Sequence, residues 1–163
     1  MDKRKNRSRA ESKAIQRPIT YSFATPADKN RIRRFLSECG LPTRYVSRHL
    51  KSFLLAKAAK KMVGVVGLEI YGRVGLLRSM CVDPAYRGQG IARMLTAMIM
   101  AYARMRKIVR LYLFTVSAEK FASKLGFHRL DRKRIPKSVR STWQFKAFKP
   151  YPVICMMKPI IES

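Results

Sequence analysis

The sequence predicts a mixed α/β domain, and three observations carry that expectation. Strand-like apolar runs alternate along the chain with runs whose apolar residues recur at helical spacing. The length, 163 residues, is that of one domain able to bury one substantial core. With 47% hydrophobic and 10% aromatic residues, the composition is that of a folded chain and not of a disordered one.

Taken in order, residues 1–17 are polar, hold seven Lys or Arg and lack hydrophobic period, so they are expected to form a basic flexible tail ahead of a domain over 18–163. Ile19 to Phe23 alternates as a strand does. Thr25-Pro26 with Asp28 is a helix start: a capping residue, Pro at the first helical position and an acid in the first turn. Ile32, Phe35 and Leu36 give that helix its apolar face, and Gly40 is placed to end it. A short helix over Arg44 to Leu50 follows. Phe53 to Ala58 and Met62 to Ile70 read as a hairpin about Lys60-Lys61, and Val74 to Val82 as the next strand, stopped by Asp83-Pro84. From Ile91, a 13-residue run places Met94, Leu95, Met98, Ile99 and Tyr102 at helical spacing. Val109 to Phe114 is strand-like, Ala118 to Leu125 helical, Phe127 to Leu130 the start of a strand, and Val153 to Met157 a run able to close the sheet.

Charge and composition exclude several classes. The 36 Lys and Arg against 9 Asp and Glu leave a net charge of +27, which attracts nucleic acid, anionic lipid and acidic metabolites. That charge is spread along the chain without a groove helix or interleaved aromatics, so the expectation is weak, salt-dependent association with nucleic acid and no sequence-specific binding. Ile91 to Ala103 falls short of the roughly 20 apolar residues a membrane helix needs. No apolar segment follows the basic N-terminus as a secretory signal would require. Cys39, Cys81 and Cys155 are odd in number and lack metal-type spacing, so neither a disulfide framework nor a zinc site is expected, and a reducing, cytoplasmic setting is.

The segment that carries chemistry is Leu76 to Arg93. A strand runs into a glycine-rich turn, and the turn opens an apolar helix. Unpaired N–H groups and the positive end of a helix dipole then converge on one spot, which suits a pyrophosphate. Gly88 and Gly90 would let it approach the backbone, and Arg87 and Arg93 add positive charge. No Gly-Lys-Ser/Thr follows, as a P-loop requires, and the third glycine of the dinucleotide fingerprint is missing.

Arg87-Gly88-Gln89-Gly90-Ile91-Ala92 resembles the acetyl-CoA signature of the GCN5-related N-acetyltransferases (GNAT): Gln or Arg, two residues, Gly, one residue, Gly or Ala. Cys81-Val82-Asp83-Pro84 and Lys124-Leu125-Gly126-Phe127 stand where that superfamily has its strand end and its helix-to-strand turn. The resemblance implies a mixed, mostly antiparallel central sheet flanked by helices. It also implies acetyl-CoA as co-substrate: backbone groups of Met80, Cys81 and Val82 on the pantetheine arm, and Arg87, Gly88, Gln89, Gly90, Ile91, Ala92 and Arg93 around the pyrophosphate.

The usual Tyr of the family, four residues before the Gly-Phe turn, is replaced by Ala122, so a water or another hydroxyl must protonate the departing thiolate, or it leaves unassisted. Few bases remain. Glu69, between Leu68 and Ile70, is the candidate catalytic base, against the alternative of a carboxylate paired to an Arg on the next strand or facing water. His49 and His128 read as solvated or structural. Cys81 and Cys155 read as packing residues, since no His lies near either in sequence to activate a thiolate.

Gly67-Leu68-Glu69, Gly75 to Ser79 and Ile135 to Met156 are similar to the acetyltransferases encoded in arsenic-resistance operons, which are themselves similar to short amino-acid N-acetyltransferases. That likeness implies a small, amino-acid-like amine acceptor, with Arg78, or Arg140, gripping its carboxylate in a fork. Two other readings stay open: a catalytically weak protein of this fold that binds nucleic acid or an acidic partner, and a protein N-acetyltransferase. A homodimer is left open as well.

Overall fold

The computed structural model describes residues 17–148 and 150–160. The tail expected over 1–17 therefore lies, apart from Arg17, outside the described residues. Seven strands form one sheet in the order β1-β2-β3-β4-β5-β7-β6: β1 (Ile19–Phe23), β2 (Phe53–Ala58), β3 (Lys61–Tyr71), β4 (Val74–Val82), β5 (Arg110–Thr115), β6 (His128–Arg129) and β7 (Ile154–Pro159). Only β4 and β5 pair in parallel; every other neighbouring pair is antiparallel. The resemblance implied this arrangement.

Helix α1 (Lys29–Glu38) follows a 3-10 turn at Pro26–Asp28, where the Asp28 carboxylate accepts from the Thr25 N–H at 2.8 Å. Gly40, at φ +70°, carries the chain out of the helix. Helix α2 (Ile91–Met105) crosses the opposite face, and Ile91, Leu95, Ile99 and Ala103 bury there against Val63, Val66, Leu68 and Leu77. Helix α3 (Glu119–Lys124) sits on the same face through Ala122. The α1 face has its own cluster, in which Ile32 and Leu36 meet Phe53, Leu55 and Val65.

Two short helices, α4 (Lys137–Arg140) and α5 (Trp143–Phe148), lie beside a third cluster formed by Leu76, Tyr112, Ile135, Val139 and Cys155. Neither has the apolar period that marks a helix in sequence. The segment over Arg44 to Leu50 is a kinked 3-10 stretch at Ser47–Ser52 instead of an α-helix, with His49 outside helical geometry at φ −115°. Among the described residues no helix is long and apolar enough to cross a membrane.

One cysteine expectation is overturned. Cys39 and Cys81 are disulfide-bonded across 42 positions of sequence, and Cys155 is free and buried. Packing of the α1 end against the outer half of β4 brings the two Cα atoms to 6.7 Å, a proximity that sequence spacing cannot signal.

Candidate active site

The site begins where two strands part. Strands β4 and β5 pair only over Val74 to Leu76, matched with Arg110 to Tyr112. Gly75 permits the close approach at the joined end, since a Cβ there would meet Leu68 and Leu111 at 2.9 Å. Further on, Ser79 and Met80 together oppose the single residue Val66 of β3, and Ser79 takes φ +60°. A bulge bends its strand and sharpens the twist, so β4 turns away from β5 and its edge there is left without a strand partner.

A cavity of about 450 Å³ fills the gap. Leu77, Met80, Thr96, Phe114, Phe121 and Ala122 line its α2–α3 end. Leu41 and Pro42 after α1, with Trp143, Gln144 and Phe148 of α5, line the other. Met80 faces this cavity and Val82 a second one, whereas the Cys81 side chain is tied to Cys39 on the α1 side. An extended thioester arm fits such a slot, laid along the free edge of β4.

The second cavity, about 300 Å³, lies at the start of α2. Asp83 accepts from the Ala85 N–H at 2.9 Å and starts a 3-10 turn at Pro84–Tyr86; that bond holds the Asp83 carboxyl below the ordinary carboxylate range. Gly88 and Gly90 both stand at φ +78°, the left-handed region that favours glycine. The helix ladder begins with the Met94 N–H on the Gly90 carbonyl at 3.0 Å, so the preceding N–H groups of the first turn have no partner within the helix. Arg87, Gly88, Gly90, Ile91, Ala92 and Arg93 line the cavity; Gln89 is exposed and does not. Ile91 is 2% exposed and anchors the loop to the core, while Arg87 Nε donates to the Val82 carbonyl at 3.2 Å. Orphan N–H groups, a helix dipole and two guanidinium-bearing residues are what a diphosphate needs.

Glu69 and Arg78 form a buried pair, Arg78 Nη1 donating to Glu69 Oε1 at 3.2 Å. Trp143 Nε1 donates to the same oxygen at 3.3 Å, the Tyr71 hydroxyl donates to Oε2 at 3.0 Å, and His49 Nε2 stands 3.6 Å from Oε1. Arg78 also donates to the Arg44 and Pro42 carbonyls and to Ser79 Oγ. Burial and the neighbouring Glu69 charge push the Tyr71 hydroxyl well above its ordinary range. Burial pulls the Arg78 guanidinium down from its usual value, with Glu69 opposing. Burial likewise lowers His49; Glu69 works against that, and Arg78 and Arg48 add to it.

This geometry revises several expectations. Glu69 lines neither cavity; its oxygens accept from Arg78 and Trp143, which line the first cavity, and from Tyr71, so it stands one residue behind that wall and holds the two side chains in place. Arg78 does line the cavity, yet four of its five N–H groups are engaged and no fork remains for a carboxylate. His49 is half-buried in the Glu69 cluster and not in a solvated helix. Arg140 and His128 are exposed and line neither cavity. Cys155 is buried with its thiol pushed up by burial, as a packing residue should be. Ala122 occupies the wall where the family Tyr would stand, and the hydroxyl side chains on that cavity are Ser79, Thr96, Thr115 and Ser117. Tyr71, Trp143 and Gln144 escaped notice; the lone tryptophan was the one available signal.

A parted parallel pair, a bulged strand and a glycine-opened helix together shape a site with room for an extended thioester arm and a diphosphate. The family profile described as "Acetyltransferase (GNAT) domain" matches residues 49–129. Those residues form a GNAT acetyltransferase domain, of the family whose co-substrate is acetyl-CoA. No curated protein sequence matches the chain. Among solved structures it is similar to N-acetylglutamate synthase from Neisseria gonorrhoeae complexed with coenzyme A and N-acetyl-glutamate, at 18% identity and TM-score 0.76 over 91% of this chain and 37% of that one. It is similar also to Rv2747 from Mycobacterium tuberculosis, solved in complex with CoA, at 19% identity and TM-score 0.74 over 87% of this chain and 99% of that one. The ribosomal-protein-S18-alanine N-acetyltransferase from Escherichia coli matches at 17% identity and TM-score 0.67 over 90% and 96%. The chain spans about a third of the synthase's length.

Proposed function

We propose that this acetyltransferase moves the acetyl group of acetyl-CoA directly to the amine of a small, amino-acid-like acceptor. The observation that carries the reading is the single cavity of about 450 Å³ reaching through the parted strands to a far end walled by Leu41, Pro42, Trp143 and Phe148. That volume must also take the thioester end of the arm, which leaves room for a small molecule. Similarity in fold to N-acetylglutamate synthase supports the same class. The +27 charge steers anionic acceptors in and polycations away, and leaves neutral ones unhindered.

In this reading the Gly88–Arg93 loop grips the pyrophosphate, and the free edge of β4 at Met80 to Val82 pairs with the pantetheine arm. The acceptor enters from the Trp143 side and gives a proton to solvent. Its nitrogen attacks the thioester carbonyl, the C–N bond forms, and backbone N–H groups of β4 stabilise the negative oxygen. The nitrogen gives its second proton to water, the C–S bond breaks, and the thiolate takes a proton from water, directly or relayed through a cavity hydroxyl such as Ser117.

The test is acetyl-CoA-dependent product formation, read by mass spectrometry against pooled amino acids, amine-bearing arsenicals and short peptides. The arsenicals follow from the likeness to the arsenic-resistance acetyltransferases. One added acetyl group on a small amine is the expected result. Acetylation of peptides alone would replace this reading with protein N-terminal acetylation, to which the Escherichia coli enzyme is the structural parallel. No product and no acetyl-CoA binding would leave a binding protein.

A further inference from the structure

One wall of the acceptor cavity is tied to β4 by a bond that chemistry can open. Gly40, Leu41 and Pro42 line the cavity directly after the end of α1. On one side of them Cys39, the cap of that helix, is bonded to Cys81. On the other, Arg78 donates to the Pro42 carbonyl at 3.2 Å and to the Arg44 carbonyl at 2.7 Å. Both ties end on β4 at residues that frame its bulge, Arg78 before Ser79 and Cys81 after Met80.

The two ties differ in reach. Arg78 is buried, whereas Cys39 and Cys81 are both half-buried, so a small thiol has access to the sulfurs. The attacking species is a thiolate, an anion, and a chain of net charge +27 attracts it. A dithiol supplies all that the exchange needs. Its first thiolate attacks one sulfur, the S–S bond breaks, a mixed disulfide forms and the released cysteine thiolate takes a proton. Its second thiolate then closes the reductant's own disulfide and frees the other cysteine, which is protonated in turn. Two electrons and two protons thus pass from the dithiol to the cysteine pair. Once the bond is open, Gly40 to Pro42 keeps its tie to Arg78 and loses the covalent one. A loosened wall must be ordered as the acceptor binds, and that cost weakens affinity.

We propose that Cys39–Cys81 is a thiol-exchange site that sets acceptor affinity: oxidised, it holds the Gly40–Pro42 wall in place, and reduced by a dithiol it releases that wall. Strand β4 stays paired with β3 at this point, Cys81 with Val65 and Val82 with Gly64, so the edge facing the thioester arm is retained in both states. The proposal rests on the small-acceptor reading above.

The full-length wild type, with and without prior treatment with dithiothreitol, tests it below the melting point of the reduced form. Alkylation in denaturant followed by mass spectrometry should count one free cysteine before reduction and three after it. Backbone hydrogen exchange should quicken over residues 39–44 and stay unchanged over 88–95, a readout that needs no acceptor. KM for the acceptor should rise about tenfold on reduction while KM for acetyl-CoA stays within about twofold, and reoxidation should reverse both changes in the wall and in KM. Cys155→Ser should respond as the wild type does, and Cys39→Ser should show the raised acceptor KM with or without reductant. Three free cysteines before reduction, or exchange over 39–44 that reduction leaves unchanged, would overturn the proposal. So would quickened exchange with an unchanged acceptor KM, and in each of these cases an acetylated small amine leaves the small-acceptor reading standing. If acetyl-CoA binds and no small amine is acetylated, both fall.

Discussion

Replacing Glu69 by Gln keeps the shape of the side chain and removes one charge from a site where its partner cannot reach water. The side chains of Glu69 and Arg78 are 0% and 2% exposed, with Nη1 and Oε1 3.2 Å apart. Removing one member of such a pair costs about 3–5 kcal/mol, because the surviving charge stays buried without compensation. For a chain of this size about 1 kcal/mol moves the melting point by roughly 2–4 °C, so Glu69→Gln should melt about 10 °C below the wild type. Urea unfolding is the assay, with a lowered midpoint at unchanged slope. The double variant Glu69→Leu with Arg78→Met should recover at least about 2 kcal/mol of the summed single losses, since an apolar pair carries no desolvation penalty. Affinity for acetyl-CoA should hold, as Glu69 lines neither cavity. A Glu69→Gln midpoint within about 0.5 kcal/mol of the wild type, well short of the burial cost, would refute the buried-pair argument. So would simple additivity in the double variant.

Gly90→Val places a β-branched residue at φ +78°, costing about 1–2 kcal/mol of backbone strain, although the added Cβ itself meets nothing within 4 Å. Calorimetry should register at least a tenfold loss of acetyl-CoA affinity, and unchanged affinity would remove the pyrophosphate assignment. Cys39→Ser, or reductant on the wild type, opens a loop closed over 42 positions, which by the chain-entropy relation is about 4 kcal/mol; a urea midpoint insensitive to reductant would mean that the bond contributes nothing. For His49, burial depresses the folded-state pKa below the ordinary 6.5 of the unfolded chain. The unfolded state then binds more protons between the two values, so the contribution is complete above 6.5 and declines as pH falls below it. Thermal melts between pH 7 and 5 should show the wild type losing stability faster than His49→Gln, and parallel profiles would contradict the assigned burial.

Most elements were legible because their signals are local. Thr25-Pro26 with Asp28, the alternation in Phe53 to Ala58, the period from Ile91 and the stop at Asp83-Pro84 each act within a few residues, where backbone sterics and hydrogen bonding decide the conformation. The Arg87 to Ala92 loop was legible for the same reason: glycine at left-handed positions ahead of an apolar helix is chemistry written in consecutive letters. The short helices α4 and α5 carry no such period, and packing against Leu76, Tyr112 and Phe114 holds them instead.

The acceptor side was beyond the reach of any local rule. Glu69 and Trp143 meet across 74 positions, Arg78 and Pro42 across 36, and Cys39 and Cys81 across 42. Nothing in a one-dimensional spacing encodes such pairs, since they exist only once β4 bends at its bulge and α1 and α5 close over it. The sequence by itself therefore determined the elements and the glycine loop that opens α2. The tertiary structure decided which buried charges pair, which cysteines bond and what lines the acceptor cavity, because burial and the partners it demands are properties of the assembled chain.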